Sequence, residues 1–162
     1  MATEDTSDKL SLYVSGVEKT LATGQVVSDL FDGATHHLAL TWDSVTGKVN
    51  VYVDGTQIGT EQTFATGSVA TGGVFTLGQR IEDVGTADYQ TAGEIFEGTI
   101  YEFRVYDDVR LQEQIRVDMV TPLDENNLPA DLINGYEFLI TGGSPSGDDI
   151  TGSDDLTITL SV

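Results

Sequence analysis

Residues 36–59 read HHLALTWDSVTGKVNVYVDGTQIG, and apolar side chains alternate with polar ones through most of the stretch. Leu38, Leu40 and Trp42 recur at every second position, as do Val49, Val51 and Val53. Period-two alternation puts each trio on one face of a half-buried strand. The five residues DSVTG between them suit a hairpin loop, with Gly47 placed to take a positive φ. Asp54-Gly55 is a second turn signal, since both positions of a tight hairpin turn favour such residues. Three successive antiparallel strands follow from this one stretch. Trp42, on the apolar face, belongs between the sheets. His36 and His37 open the first strand and necessarily point to opposite faces, so one packs or hydrogen-bonds and the other lies near the surface. A metal-binding pair on a strand needs i, i+2 spacing to share a face, so these histidines read as scaffold.

The same alternation continues outward. Leu10, Leu12 and Val14 alternate in KLSLYVSG, and further strands are predicted at 74–78, 96–107, 134–141 and 156–162. One helix is predicted over 111–119, where Leu111, Ile115 and Met119 are spaced i, i+4, i+8 and no proline occurs before Pro122. Segments 62–73, 82–93 and 142–155 are rich in Gly, Thr, Ser and Asp and read as surface loops. The last is an acidic Gly/Ser/Asp loop. Many short strands with one small helix describe an all-β protein, an antiparallel β-sandwich or jelly roll.

Bulk composition agrees. The chain has 162 residues, the size of a single domain spanning 1–162, and 18 glycines suit a turn-rich β protein. It carries 7 basic and 27 acidic side chains, a formal charge of −20, which repels nucleic acid and anionic lipid. The surface instead favours cations, and carboxylate-rich loops supply the oxygen ligands that calcium prefers. Without cysteine there is neither a disulfide framework nor thiolate chemistry. No apolar run reaches the length of a membrane span, so insertion into a membrane is not expected.

Three segments together resemble a known family: the stretch 36–59, then VFTLGQ (74–79), then FEGTIYEFRVYDDVRLQEQI (96–115). A His-His strand ending in Thr-Trp, a Tyr-Val-Asp-Gly turn, a Leu-Gly-Gln strand, an acidic loop and Gly-x-Ile-x-Glu-x-Arg-x-Tyr before a helix are similar to the laminin-G/pentraxin group of concanavalin-like jelly rolls. Pentraxins carry cysteine in the His strand, which this chain lacks, and bacterial laminin-G-like modules fit better. Members of the group have further strands ahead of the one matching KLSLYVSG. Here GYEF (135–138) and DDLTITLSV (154–162) resemble such early strands but stand at the other end. The resemblance thus implies a domain that is circularly permuted or cut across a repeat boundary, complete only if the tail pairs back onto the sheet.

Catalysis finds little support in the residues. Glycoside hydrolases of this fold need two carboxylates on one strand face about 5–5.5 Å apart. Glu94 and Glu97 point to opposite faces, Glu94 and Glu102 are too far apart, and no Glu-x-Asp-x-x-Glu pattern occurs. The acidic loop RIEDVGTADYQTAGE (80–94) is the stronger candidate, with Glu82, Asp83, Asp88 and Glu94 as carboxylates and Gln90 as a neutral oxygen donor. The resemblance implies that this loop, directly after Leu-Gly-Gln, holds calcium that in turn binds ligand. Arg80 stands where the pentraxin run begins with an acid, and Glu94 where it has glutamine. Tyr89 offers a face on which a sugar ring could stack. The tail GGSPSGDDITGSDDL (142–156) holds one distorted copy of a Gly-Gly-x-Gly-x-Asp calcium repeat and reads as a turn-rich linker.

The expected protein is therefore a non-enzymatic adhesion module of a secreted or cell-surface protein. Its partner is a glycan or glycoprotein, with calcium at the loop rim. The alternative is a structural or assembly domain of a large adhesin or surface array, self-associating through its sheet edges, and a glycoside hydrolase is the distant third reading.

Overall fold

The computed structural model describes residues 10–14, 17–24, 30, 32–69, 77–78, 96, 98–141 and 144–149. Strands β1 (Ser11–Val14) and β2 (Val17–Thr20) form a hairpin. Strands β3 (Leu38–Trp42), β4 (Lys48–Val53) and β5 (Thr56–Thr63) form a meander with β4 in the centre. Strands β6 (Glu102–Tyr106), β7 (Leu132–Thr141) and β8 (Ser144–Asp149) form a third sheet, with helix α1 (Gln112–Val120) in the connection from β6 to β7. Every pairing is antiparallel. The architecture is all-β with one short helix, as the alternation predicts, and it is consistent with a β-sandwich.

The register of the meander builds the core. Trp42 lies opposite Val49, Leu40 opposite Val51, and Val51 opposite Ile58, so these side chains share a face. Val49 is 0% exposed and, with Val51 and Leu21, forms the cluster against which Leu10, Leu12, Trp42, Ile58 and Phe64 pack. The β1–β2 hairpin is thus laid on the Val49/Val51 face of the meander. Trp42 also donates its indole N–H to the Ala65 carbonyl at 2.9 Å, which satisfies the one polar atom of a large apolar ring. Tyr52 is buried on the opposite face, so β4 is covered on both sides.

Both turns of the meander are built as their residues require. Asp43 accepts the backbone N–H groups of Val45 and Thr46 through Oδ1, and Gly47 takes φ +74° where a Cβ would strike the Phe64 carbonyl. At the second turn Asp54 (φ +49°) and Gly55 (φ +70°) both lie in the left-handed region, the geometry whose twist matches a two-residue hairpin. The Gly55 carbonyl accepts Gln112 Nε2 and Arg116 Nε from α1, each at 2.9 Å. The helix is docked on this turn. It ends at Thr121 because Pro122 forces the residue before it into an extended conformation, and Thr121 sits at φ −111°, ψ 108°.

Several expectations need correction. Leu38 and Leu40 share a face with Trp42 yet remain 52% and 44% exposed. Cover by the 64–65 segment reaches only the Trp42 end of β3. In α1, Ile115 alone of the i, i+4, i+8 trio is buried, while Leu111 and Met119 are exposed. The inward-facing side of the helix is completed by Gln112 and Arg116, whose polar ends satisfy a backbone carbonyl. The predicted strand 96–107 is a strand only over Glu102–Tyr106, because the chain bends at Gly98, where a Cβ would meet the Phe96 ring at 2.6 Å. Part of the 142–155 acidic loop is strand: Ser144–Asp149 pairs with β7, Asp149 opposite Tyr136. Backbone pairing with an existing strand overrides weak β-propensity, and Pro145 is compatible with an outer strand. Residues 74–76 and 156–162 lie outside the described residues.

Gly55→Ala should reveal how much α1 docking adds to the turn. A Cβ at Gly55 would meet Arg116 Cγ at 2.7 Å, whereas at Gly24 (φ +73°) it would meet nothing within 4 Å. Both substitutions carry a left-handed strain of about 1–2 kcal/mol. Gly55→Ala additionally displaces Arg116, so its melting temperature is expected to fall clearly below that of Gly24→Ala. Equal melting temperatures for the two variants would mean that α1 gains nothing from this contact.

Candidate functional site

The six residues singled out for binding, Glu82, Asp83, Asp88, Tyr89, Gln90 and Glu94, fall in 79–95, outside the described residues. Their flanks are described. The Phe96 N–H donates to the Gly78 carbonyl at 2.7 Å, and Gly78 takes φ +76°. The two ends of the acidic segment are therefore tied to each other by a backbone hydrogen bond. Between those two ends the sequence carries Glu82, Asp83, Asp88, Gln90 and Glu94.

The histidine pair resolves into two different environments. His36 lies between two carboxylates, Nδ1 2.8 Å from Asp54 Oδ2 and Nε2 3.1 Å from Asp32 Oδ1. Asp54 also accepts the His37 backbone N–H through Oδ1 at 2.8 Å, and its own N–H donates to the His37 carbonyl at 2.9 Å. The Asp54 carboxylate, with Asp32 behind it, holds the His36 imidazole above its ordinary pKa. Asp54 is held below the usual carboxylate range by the His37 backbone N–H and by His36. His37 is half-buried on the other face. Burial, followed by the nearby Arg104 guanidinium, pushes its pKa down. Because the carboxylates sit on opposite ring nitrogens of His36, they cannot converge on one ion. Among the described residues no group of three or more His, Cys, Asp or Glu side chains could hold a metal. The pair is scaffold, as its adjacent spacing implies.

A cluster that the sequence does not advertise lies beneath α1. Asp118 accepts Arg110 Nε and Nη2 in a bidentate pair at 2.9–3.1 Å and stands 3.7 Å from Arg104 Nη1. Arg104 also donates to Glu102 and to the Thr121 carbonyl, and Arg110 lies over the Tyr106 ring at 4.1 Å. The three charged side chains Arg104, Arg110 and Asp118 are only 10%, 12% and 12% exposed. Bidentate geometry of this quality is what lets a nearly buried ion pair hold. Glu102, the described member of the carboxylates weighed for hydrolysis, is committed to Arg104. Glu94 and Glu97 lie outside the described residues.

A family model of laminin-G type, described as the Concanavalin A-like lectin/glucanases superfamily, matches residues 2–116. The chain belongs to that family. Neuronal pentraxin-2 of Mus musculus is 32% identical over 104 residues, which make up 63% of this chain and 23% of that protein. Pentraxin-related protein PTX3 of Bos taurus is 33% identical over 110 residues, 66% of this chain and 28% of the relative. The pentraxin domain-containing "Sushi, von Willebrand factor type A, EGF and pentraxin domain-containing protein 1" of Rattus norvegicus is 32% identical over 106 residues, 65% of this chain and 3% of the relative. The chain thus spans less than a third of each of these proteins. No solved structure matches it. It is a laminin-G/pentraxin-like module of lectin fold, compatible with a binding domain. Among the described residues no helix is long and apolar enough to cross a membrane.

The two adjacent histidines are expected to titrate on opposite sides of the ordinary value of about 6.5. His36 is raised, so its contribution to stability is full below that value and is lost as pH rises through the folded pKa. His37 is depressed, so its contribution is present above that value and is lost as pH falls through the folded pKa. NMR titration of the imidazole Hε1 signals, assigned with His36→Gln and His37→Gln, should give two midpoints bracketing the unperturbed one. A shared midpoint would contradict the Asp32–His36–Asp54 arrangement.

Proposed function

We propose that the chain is a non-enzymatic binding module of a secreted or cell-surface protein, taking a glycan or glycoprotein at the rim formed by residues 79–95. The observation that carries this reading is the Phe96–Gly78 tie, a hydrogen bond that joins the two ends of an acidic segment in a chain of the lectin-type family. Glu82, Asp83, Asp88 and Glu94 would hold calcium, with Tyr89 and Gln90 beside it to meet the ligand. A bound calcium ion supplies open positions that sugar hydroxyls can fill. The chain's own groups then orient the sugar, the Tyr89 ring by stacking on its C–H face and the Gln90 amide by giving and accepting hydrogen bonds. Nothing in this scheme calls for a nucleophile or an acid–base pair, in keeping with the engagement of Glu102 by Arg104.

We also propose that residues 1–162 fold as one domain, permuted or cut across a repeat boundary. The family match ends at residue 116, yet β7 pairs with β6 along Glu102–Tyr106, so chain beyond the match completes a sheet begun inside it. The assembly reading draws support from one feature, the exposed Leu38 and Leu40 on β3, where a second copy could add a strand. Light scattering across a concentration series distinguishes it, since assembly predicts a mass above 17.4 kDa.

Calcium is expected to raise the melting temperature in the millimolar range, the regime of extracellular calcium modules. At tenfold excess over Kd the gain is about 1.4 kcal/mol. Asp83→Asn with Asp88→Asn should remove the shift, while Asp148→Asn with Asp149→Asn should leave it. Dependence on the second pair instead would move the metal site to the tail, and an equal effect of sodium at matched ionic strength would reduce the acidity to a solvated surface. A glycan array run with calcium and with chelator tests the ligand class.

A further inference from the structure

A cleft of about 300 Å³ opens between the end of α1 and the segment 121–129. Its polar lining is Arg104, Arg110, Asp118, Asp124 and Asn127. Val117, Leu123, Leu128 and Pro129 supply the apolar part of the lining. That volume is at the small end of ligand sites and is suited to a single ring rather than a chain.

The lining is already fixed. Arg104 and Arg110 are held by Asp118, and Arg104 by Glu102 and the Thr121 carbonyl as well, so neither guanidinium loses much freedom on meeting a ligand. Leu123 sits down on Gly135 of β7, where a Cβ would meet its Cδ1 at 2.7 Å. The 121–129 segment is turned by Asp124, which accepts the Asn126 N–H through its side chain at 2.9 Å and the Asn127 N–H through its carbonyl at 2.8 Å. Each arginine has five N–H donors, more than the acceptors described around it.

Charge narrows the occupant. An anion would enter beside Asp118 and Asp124 on a chain of formal charge −20, and a cation would face two guanidiniums. A neutral molecule with hydroxyls on its edge and C–H groups on its face matches both the mixed donors and acceptors and the apolar lining. We propose that this cleft binds one neutral sugar ring, without calcium, at a site separate from the 79–95 rim. The inference rests on the reading of the chain as a glycan-binding module and adds a second location to it.

The test is an NMR titration of the 15N-labelled full chain in chelator with methyl glycosides of glucose, galactose, mannose and N-acetylglucosamine. At least one should shift backbone amides clustered in 117–129 and saturate with Kd on the order of 1–10 mM, an ordinary single-sugar affinity of about 3–4 kcal/mol. Asn127→Trp fills the cleft from an exposed position outside the ion-pair cluster and should weaken these shifts at least tenfold. Glucuronate, the carboxylate counterpart of glucose, should bind more weakly than the neutral sugar. Shifts confined to other residues, or shifts in 117–129 that survive Asn127→Trp, would overturn the cleft. A positive glycan array with no shift in 117–129 rejects the cleft while the general reading stands, whereas a blank array with no shift anywhere rejects both.

Discussion

The Asp54–Gly55 turn is the joint on which the described structure hangs. Its two residues occupy left-handed backbone, which the twist of the β4–β5 hairpin requires and which most side chains resist. Once in place, the turn has its polar groups aimed in two directions. The Asp54 carboxylate closes over the start of β3 through His36 and the His37 backbone, while the Gly55 carbonyl receives two side chains from α1. Two residues thus set the register of a strand nearly twenty positions earlier and the seat of a helix more than fifty positions later. The absence of a Cβ at Gly55 is what allows Arg116 to lie across the turn.

The distribution of charge follows from the same arrangement. The chain has seven basic side chains against 27 acidic ones, and three of the seven, Arg104, Arg110 and Arg116, gather around α1. There they act as ties. Arg116 reaches a carbonyl and the other two grip Asp118, so the helix is held to β6 by charge-assisted bonds where apolar burial is confined to Ile115. A helix of nine residues with one buried side chain would not persist on propensity alone. Asp118 is consumed in this way, as is Glu102 by Arg104.

Much of the meander could be read directly. Alternation fixes which residues share a face, and Gly47 and Asp54-Gly55 fix where the chain reverses, because these signals are local. Alternation does not say whether anything lies over a face, which is why Leu38 and Leu40 match Trp42 in pattern but not in burial. The pairing of Ser144–Asp149 with β7 was hidden for a related reason, since Ser, Pro, Gly and Asp have low strand propensity and give no alternation. Asp118 gave no signal either. Its partners sit on β6 and on the approach to α1, at separations of fourteen and eight residues that only the tertiary fold brings together. The tie between residues 78 and 96 gave no signal either, because a hydrogen bond eighteen residues apart depends on the path of the chain between and around them.

That tie has a consequence for how such a module can diversify. When a segment departs and returns through one backbone hydrogen bond, its length and composition are decoupled from the frame, and each doubling of loop length costs only about 0.6 kcal/mol in closure entropy. The interval between Gly78 and Phe96 is in effect an exchangeable cassette. Changes of length there carry a small closure cost, so new recognition sequences could be tried at little entropic expense. For protein engineering the same two residues mark the natural splice points for grafting foreign loops onto a small, cysteine-free scaffold.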